Sequence, residues 1–118
     1  MPRVLVVDDE PAIVEGLEAF LTRIGYRVRT AYDGPTALQA VRAERPDVVL
    51  LDLRMPGGSG LEVLRCIREI DQGLKVILLT GFLDEETRQL ALDLGAPLCL
   101  PKPMDLRLLE RSLAEAIR

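Results

Sequence analysis

Asp8-Asp9-Glu10, Asp52, Thr80 and Lys102 each follow closely on a short apolar run of the chain. Carboxylates gathered from the ends of such runs would repel one another unless a cation neutralised them. The chain has no histidine, and no thiolate stands in this set. Hard oxygen ligands of this kind favour Mg²⁺, which binds a few carboxylates together with water and phosphate oxygens. A hydroxyl and an ammonium beside that ion complete a set that can hold a phosphoryl group on, or next to, a carboxylate. Lys102 is unusual in its own right. Only Lys75 and Lys102 are lysine among the fifteen Lys and Arg residues, and Lys102 lies between Pro101 and Pro103. A compact ammonium meets one phosphoryl group as a point charge, where the broad arginine fork would fit poorly.

Each residue also has a plain structural alternative. Asp8 or Asp9 could cap a following helix with Pro11 in its first turn. Asp52 could close a strand into a turn, Thr80 could pair locally, and Lys102 could be a solvated charge before a helix. Taken together these alternatives weaken, because four strand ends would have to be complementary in charge and hydrogen bonding by chance.

The elements that must position these residues alternate regularly. Strand-like runs are RVLVVD (3–8), YRVRTA (26–31), DVVLLD (47–52), KVILLT (75–80) and PLCL (97–100). Four are nearly continuous apolar or β-branched, as in parallel strands covered on both faces. YRVRTA alternates, with Arg27 and Arg29 on one face, and reads as an edge strand. Helical stretches cover 11–25, 35–45, 60–70, 85–95 and 106–118. The first carries Ile13, Leu17, Phe20, Leu21 and Ile24 on one stripe and stops at Gly25. Asp84 and Asp105 are placed to cap, and SGLE (59–62) fits a capping box. Five strands alternating with five helices predict one doubly wound α/β sheet of order 2-1-3-4-5, with ligands outside the carboxyl ends of its strands.

Bulk properties limit the alternatives. At 118 residues one domain, 1–118, is the simplest organisation. With only two Phe, two Tyr and no Trp, the core must be built from Leu, Val, Ile and Ala. A net charge of −4 argues against direct nucleic-acid binding, which needs a basic face, although it leaves local arginine clusters open. No apolar run is long enough to span a membrane, and MPRVLVVDDE lacks the form of a signal peptide. Cys66 and Cys99 are read as buried thiols of a cytoplasmic protein. The absence of histidine removes histidine metal sites, phosphohistidine and Ser-His-Asp chemistry. GGSGL (57–61) fails as a nucleophile elbow, since Leu61 stands where glycine is required. No phosphate-binding or dinucleotide glycine loop follows the first strand.

VLVVDDE, PDVVLLDLRMPGGSGLEVL, VILLTG and LPKP occur in order, and over nearly its whole length the chain resembles the receiver domain of bacterial two-component response regulators. The resemblance implies a phosphoacceptor at Asp52, taking a phosphoryl group from a sensor histidine kinase, a histidine phosphotransfer protein or a small phosphodonor. It implies Mg²⁺ held by Asp9 and Asp52, by Asp8 through water, and by the backbone carbonyl of Arg54. Lys102 and Thr80 would meet phosphoryl oxygens, Gly81 would leave room for the group, and a cis bond before Pro103 would aim the lysine. The chain is then a switch, not a dedicated enzyme, that assists its own phosphorylation and dephosphorylation. Its output surface would be the fourth helix, fifth strand and fifth helix, meeting a partner or output domain. Homodimerisation is left open. No effector domain falls within these residues, and a stand-alone receiver and a fragment of a longer regulator are equally open.

Two departures from the family pattern carry consequences. Ser59 replaces the usual Asp but keeps the capping box with Glu62. Cys99 stands where most receivers have Tyr or Phe, so the ring movement that accompanies switching has no counterpart. Arg54 and Phe82 occupy positions that tune hydrolysis of the phosphoryl group and are expected to slow it. The alternative function is a receiver-like interaction module that binds a partner without phosphorylation. A phosphatase of the Asp-x-Asp type is disfavoured, because DLR lacks the second carboxylate.

Overall fold

A computed structural model describes residues 1–55, 58–81, 84–96, 98–102 and 104–117, with only the backbone of Gly58 and Ser59. Phe82 and Pro103 therefore lie outside the described residues, as does the Ser59 side chain of the expected capping box. The elements in chain order are β1 (Arg3–Val7), α1 (Pro11–Arg23), β2 (Arg27–Ala31) and α2 (Gly34–Ala43). Next come β3 (Val48–Asp52), β4 (Arg54–Met55), β5 (Gly58–Ser59) and α3 (Gly60–Ile70). The chain continues with β6 (Lys75–Thr80), α4 (Glu85–Asp93), β7 (Leu98–Pro101) and α5 (Leu106–Ile117).

β3 is buried at every residue because it is central and covered on both faces, as its unbroken apolar run requires. The sheet is parallel in the order β2-β1-β3-β6-β7, which is the predicted 2-1-3-4-5 arrangement. On one face Leu5, Val7, Val49, Leu51, Val76 and Leu78 pack with residues of α2, α3 and α4. On the other, Val4, Val6, Leu50 and Ile77 pack with Val14, Leu17 and Leu21 of α1 and with Leu109 and Leu113 of α5. The two-residue period of the strands thus divides one apolar sequence into two cores.

The structure refines the sequence expectations in four places. Arg54–Met55 and Gly58–Ser59 form a small antiparallel ladder, too short to show as a periodic run. The buried stripe of α1 centres on Val14, Leu17 and Leu21, with Ile13, Phe20 and Ile24 only partly buried against it. β7 is the second edge strand, and Leu98 on it is exposed. Cys66 and Cys99 are free and half-buried rather than fully buried. The predicted ends largely hold: Gly25, at φ 105°, follows the end of α1. Asp84 accepts the Thr87 N–H at 2.7 Å, and Asp105 accepts the N–H groups of Arg107 and Leu108. Asp33, unremarked in the sequence, caps α2 by accepting the Thr36 N–H at 2.8 Å.

α4 has Ala91 as its only buried residue, and much of its anchorage comes from one side chain of α3. The Arg68 guanidinium donates to the carbonyls of Leu94 and Leu74, each at 2.6 Å, and of Gly95 at 3.2 Å. It also reaches the carbonyls of Asp71 and Gln72 at 3.2 and 3.3 Å. One cation thus ties the ends of α3 and α4 to the entry of β6. Arg68→Ala leaves these carbonyls without their donor, and a destabilisation of about 2 kcal/mol is expected in urea unfolding. Arg68→Lys should recover only part of that loss, since an ammonium cannot fork across three segments. Equal stability of wild type and Arg68→Ala would rule out the tie.

Candidate functional site

Parallel pairing brings the carboxyl ends of β1, β3 and β6 to one edge of the sheet. Val7 is registered with Leu51, Asp52 with Leu79 and Thr80 with Pro101. Asp8 therefore emerges beside Asp52, with Thr80 and the chain leading to Lys102 on the next two strands. The backbone N–H of Lys102 donates to the Thr80 carbonyl at 3.0 Å, continuing the β6–β7 pairing by one residue and fixing where the lysine departs.

Asp8 is fully buried, at 0% exposure, and Asp52 nearly so, at 3%; Asp9 is half-buried. Neither Asp8 nor Asp9 is the cap of α1, because the N-cap residue is Glu10 and it makes no side-chain cap bond. Asp8 instead accepts the Glu10 N–H at 3.1 Å through Oδ1 and binds Lys102 Nζ at 2.7 Å through Oδ2. Asp52 Oδ1 accepts the Arg54 N–H at 3.2 Å and lies 3.4 Å from Lys102 Nζ. The lysine is thus held between two buried carboxylates, with its side chain only 17% exposed. Its role as a solvated charge is excluded.

Burial raises the Asp52 pKa above that of an ordinary carboxyl. The Arg54 N–H opposes the rise, the nearby Asp8 adds to it, and Lys102 opposes it. For Lys102, burial works against the charge, but Asp8 and Asp52 outweigh it and leave the ammonium pKa above its usual value. One oxygen each from Asp8, Asp9 and Asp52 lie within 4.8 Å of one another. Three hard oxygen donors at that spacing fit a Mg²⁺ ion.

The remaining predicted residues that the structure describes lie on or next to the neighbouring strands. Thr80 is buried at the end of β6. Arg54 is exposed on β4 with its N–H turned to Asp52. Gly81 is exposed, and among the described residues a Cβ built on it meets no non-adjacent atom within 4 Å. Cys99 packs against the core face shared with α2 and α3, and burial raises its thiol pKa against the opposing charge of Arg88. Gly60, which the sequence marked only as part of a capping box, abuts the end of β3. A Cβ there would lie 2.3 Å from the Asp52 carbonyl oxygen and 2.6 Å from Leu53 Cα. Its N–H also donates to the Leu53 carbonyl at 2.8 Å. The signal for it in the sequence is the glycine that opens the third helix.

Residues 4–114 match the family model of the response regulator receiver domain. The chain belongs to this family. Transcriptional regulatory protein AfsQ1 of Streptomyces coelicolor is 41% identical over 118 residues, which cover all of this chain and 52% of that protein. Response regulator MprA of Mycobacterium ulcerans is 42% identical over 104 residues, covering 88% of this chain and 45% of that protein. The receiver thus spans about half the length of these curated relatives. Among solved structures, response regulator protein TrrA from Thermotoga maritima, in complex with Mg²⁺ and BeF, superposes with a TM-score of 0.89. It is 36% identical, and the match covers 98% of this chain and 99% of that one. Chemotaxis protein CheY4 of Vibrio cholerae gives a TM-score of 0.93 at 31% identity, covering 98% of both chains. The receiver therefore shares its fold with a family of signalling switches. Among the described residues no helix is long and apolar enough to cross a membrane.

Proposed function

We propose that residues 1–118 act as the phosphoacceptor switch of a two-component phosphorelay, with Asp52 as the acceptor. The observation that carries this reading is the position of Lys102 Nζ, 2.7 Å from Asp8 and 3.4 Å from Asp52. It is a largely buried cation held between two of the three carboxylates that could share a metal ion. In the transfer an Asp52 carboxylate oxygen attacks phosphorus. The P–O bond forms as the P–N bond to the phosphohistidine of a sensor kinase or phosphotransfer protein breaks, and the imidazole leaves. Lys102 then exchanges contact with Asp52 for a phosphoryl oxygen and stabilises the charge that develops there. Thr80 donates its hydroxyl to another phosphoryl oxygen, and the space above Gly81 admits the group.

Asp9 and Asp52 are assigned as direct ligands of Mg²⁺, with the Arg54 carbonyl, as in the family at large. Asp8 acts through water, which suits a carboxylate already engaged by Lys102 and by the Glu10 N–H. When bound, Mg²⁺ offsets the repulsion among the carboxylates and draws charge from the phosphoryl oxygens. TrrA, solved with Mg²⁺ and BeF, supports Mg²⁺ as the ion such a site would take.

Phosphorylation would bias α4, β7 and α5 toward a second arrangement that an output partner or output domain reads. α4 is thinly anchored by its own residues, and Leu90, Leu92, Leu98 and Leu106 on these elements are exposed. The half-buried Cys99 contributes no ring to that rearrangement, so the shift must come from Thr80 and the backbone it leads. The test is incubation with acetyl phosphate and Mg²⁺, followed by intact-mass measurement. A single phosphoryl adduct is expected, absent in Asp52→Asn and absent when Mg²⁺ is chelated. Failure of the wild type to form it would favour the phosphorylation-independent interaction module.

A further inference from the structure

The arginines of the sheet gather at a place remote from the acidic site. Arg3 opens β1 and Arg27 opens β2, and the two are direct partners in the parallel ladder. Arg29 lies two residues further along β2, on the same face as Arg27. With Val28 and Glu44 these three arginines line a pocket of about 340 Å³, within the size range of small-molecule sites. Glu44 is the only carboxylate in that lining and pairs with Arg3 at 3.2 Å. The neighbouring Asp47 is turned to the Arg3 backbone N–H, at 2.7 Å. Among the described residues, Arg27 and Arg29 have no ion-pair partner. Three guanidinium groups facing one carboxylate leave a surplus of positive charge in a chain whose net charge is −4.

Like charges side by side on adjacent strands destabilise a sheet. Protecting an edge strand from unwanted pairing needs charge on it, but does not need that charge gathered around one pocket with a third arginine from β1. We propose that this pocket binds a small multiply charged anion containing a diphosphate group. Guanidinium forks suit phosphate oxygens bidentately. Arg27 and Arg29 leave the strand about 7 Å apart, a span that a diphosphate bridges with one phosphate on each fork. Glu44, at the C-cap of α2, already pairs with Arg3, so Arg27 and Arg29 are the forks left to take the anion. This site is independent of phosphorylation at Asp52.

The test is thermal unfolding of the protein without Mg²⁺, at low ionic strength, in inorganic pyrophosphate, ADP or orthophosphate. Pyrophosphate and ADP should raise the unfolding midpoint saturably, and orthophosphate at equal ionic strength should do so much less. Tighter binding of ADP than pyrophosphate would assign a nucleoside diphosphate, and equal binding would assign the diphosphate group alone. Arg27→Gln and Arg29→Gln should each weaken binding about tenfold, while leaving phosphorylation by acetyl phosphate unchanged. Without added anion both variants should melt no lower than wild type, since the substitution relieves repulsion. The proposal is overturned by equal stabilisation from all three anions, which would be simple screening. It is equally overturned by undiminished binding in the variants, which would place the anion elsewhere, or by no stabilisation at all.

Discussion

Lys102→Ala is expected to destabilise the receiver by about 3 kcal/mol at neutral pH. The removed ammonium is the counter-charge of Asp8 and Asp52, both buried, and lies 2.7 and 3.4 Å from them. Removing one partner of a buried pair leaves the other uncompensated, and here two carboxylates would face each other without a cation. The lower end of the range for buried pairs is apt, because the lysine side chain is 17% exposed and water can reach it. The raised pKa of Lys102 fixes the sign of the pH dependence. Its stabilisation is fully present below the unfolded lysine pKa, near 10.4, and is lost as pH rises through the higher folded value. At neutral pH the variant therefore shows the whole loss. Acidification should narrow the gap, since Asp52 already titrates above an ordinary carboxyl and would do so further without the lysine. Urea midpoints for both proteins at neutral and mildly acidic pH test this, and a gap that widens on acidification would refute it. Added Mg²⁺ should restore part of the variant's stability by supplying the missing positive charge. Phosphorylation should remain severely impaired, because the group proposed to meet the phosphoryl oxygen is gone.

Gly60→Ala is the second large effect, and it acts through the backbone. The added methyl would fall 2.3 Å from the Asp52 carbonyl oxygen and 2.6 Å from Leu53 Cα. Neither atom is the free end of a side chain, so either the third helix or the end of β3 must shift. A destabilisation of about 2–3 kcal/mol is expected, as for overpacked interiors. Any shift moves Asp52 relative to Lys102 and Asp9, and the rate of adduct formation from acetyl phosphate should fall at least tenfold. Gly16 is the matched control: it is also helical, but among the described residues a Cβ there meets nothing within 4 Å. Gly16→Ala should leave stability unchanged or raise it slightly, by the ordinary alanine preference of helices. Similar behaviour of the two variants would show that the crowding at Gly60 has no consequence.

Much of the architecture was legible because the physics behind it is local. Unbroken apolar runs mark β1, β3 and β6 as strands covered on both faces, and the alternation of Arg27 and Arg29 marks β2 as an edge. Asp84 and Asp105 announce the starts of α4 and α5, and Gly25 the stop after α1. Where reading failed, the signal was short or shared. The Arg54–Met55 and Gly58–Ser59 ladder is too brief to have a period. Val14 was passed over because a stripe drawn through Ile13 and Phe20 is equally apolar, and only packing selects between the two.

By itself the sequence determined the order of the elements and the chemical types at the strand ends: three aspartates and a glutamate, a hydroxyl and a lysine following apolar runs. Those follow from composition and periodicity, which act over a few residues. Only the tertiary structure decided how the types meet. Lys102 and Asp8 are separated by 94 positions, and Arg68 and Leu94 by 26. Contacts at such separations arise because parallel pairing and two packed helix layers fix strand ends and helix ends against one another. That closure makes Lys102 the buried counter-ion of the acidic site, presses Gly60 onto Asp52, and gathers Arg3, Arg27 and Arg29 around one pocket. The residues that meet in each case are neighbours only in space, so the linear sequence does not display the contact.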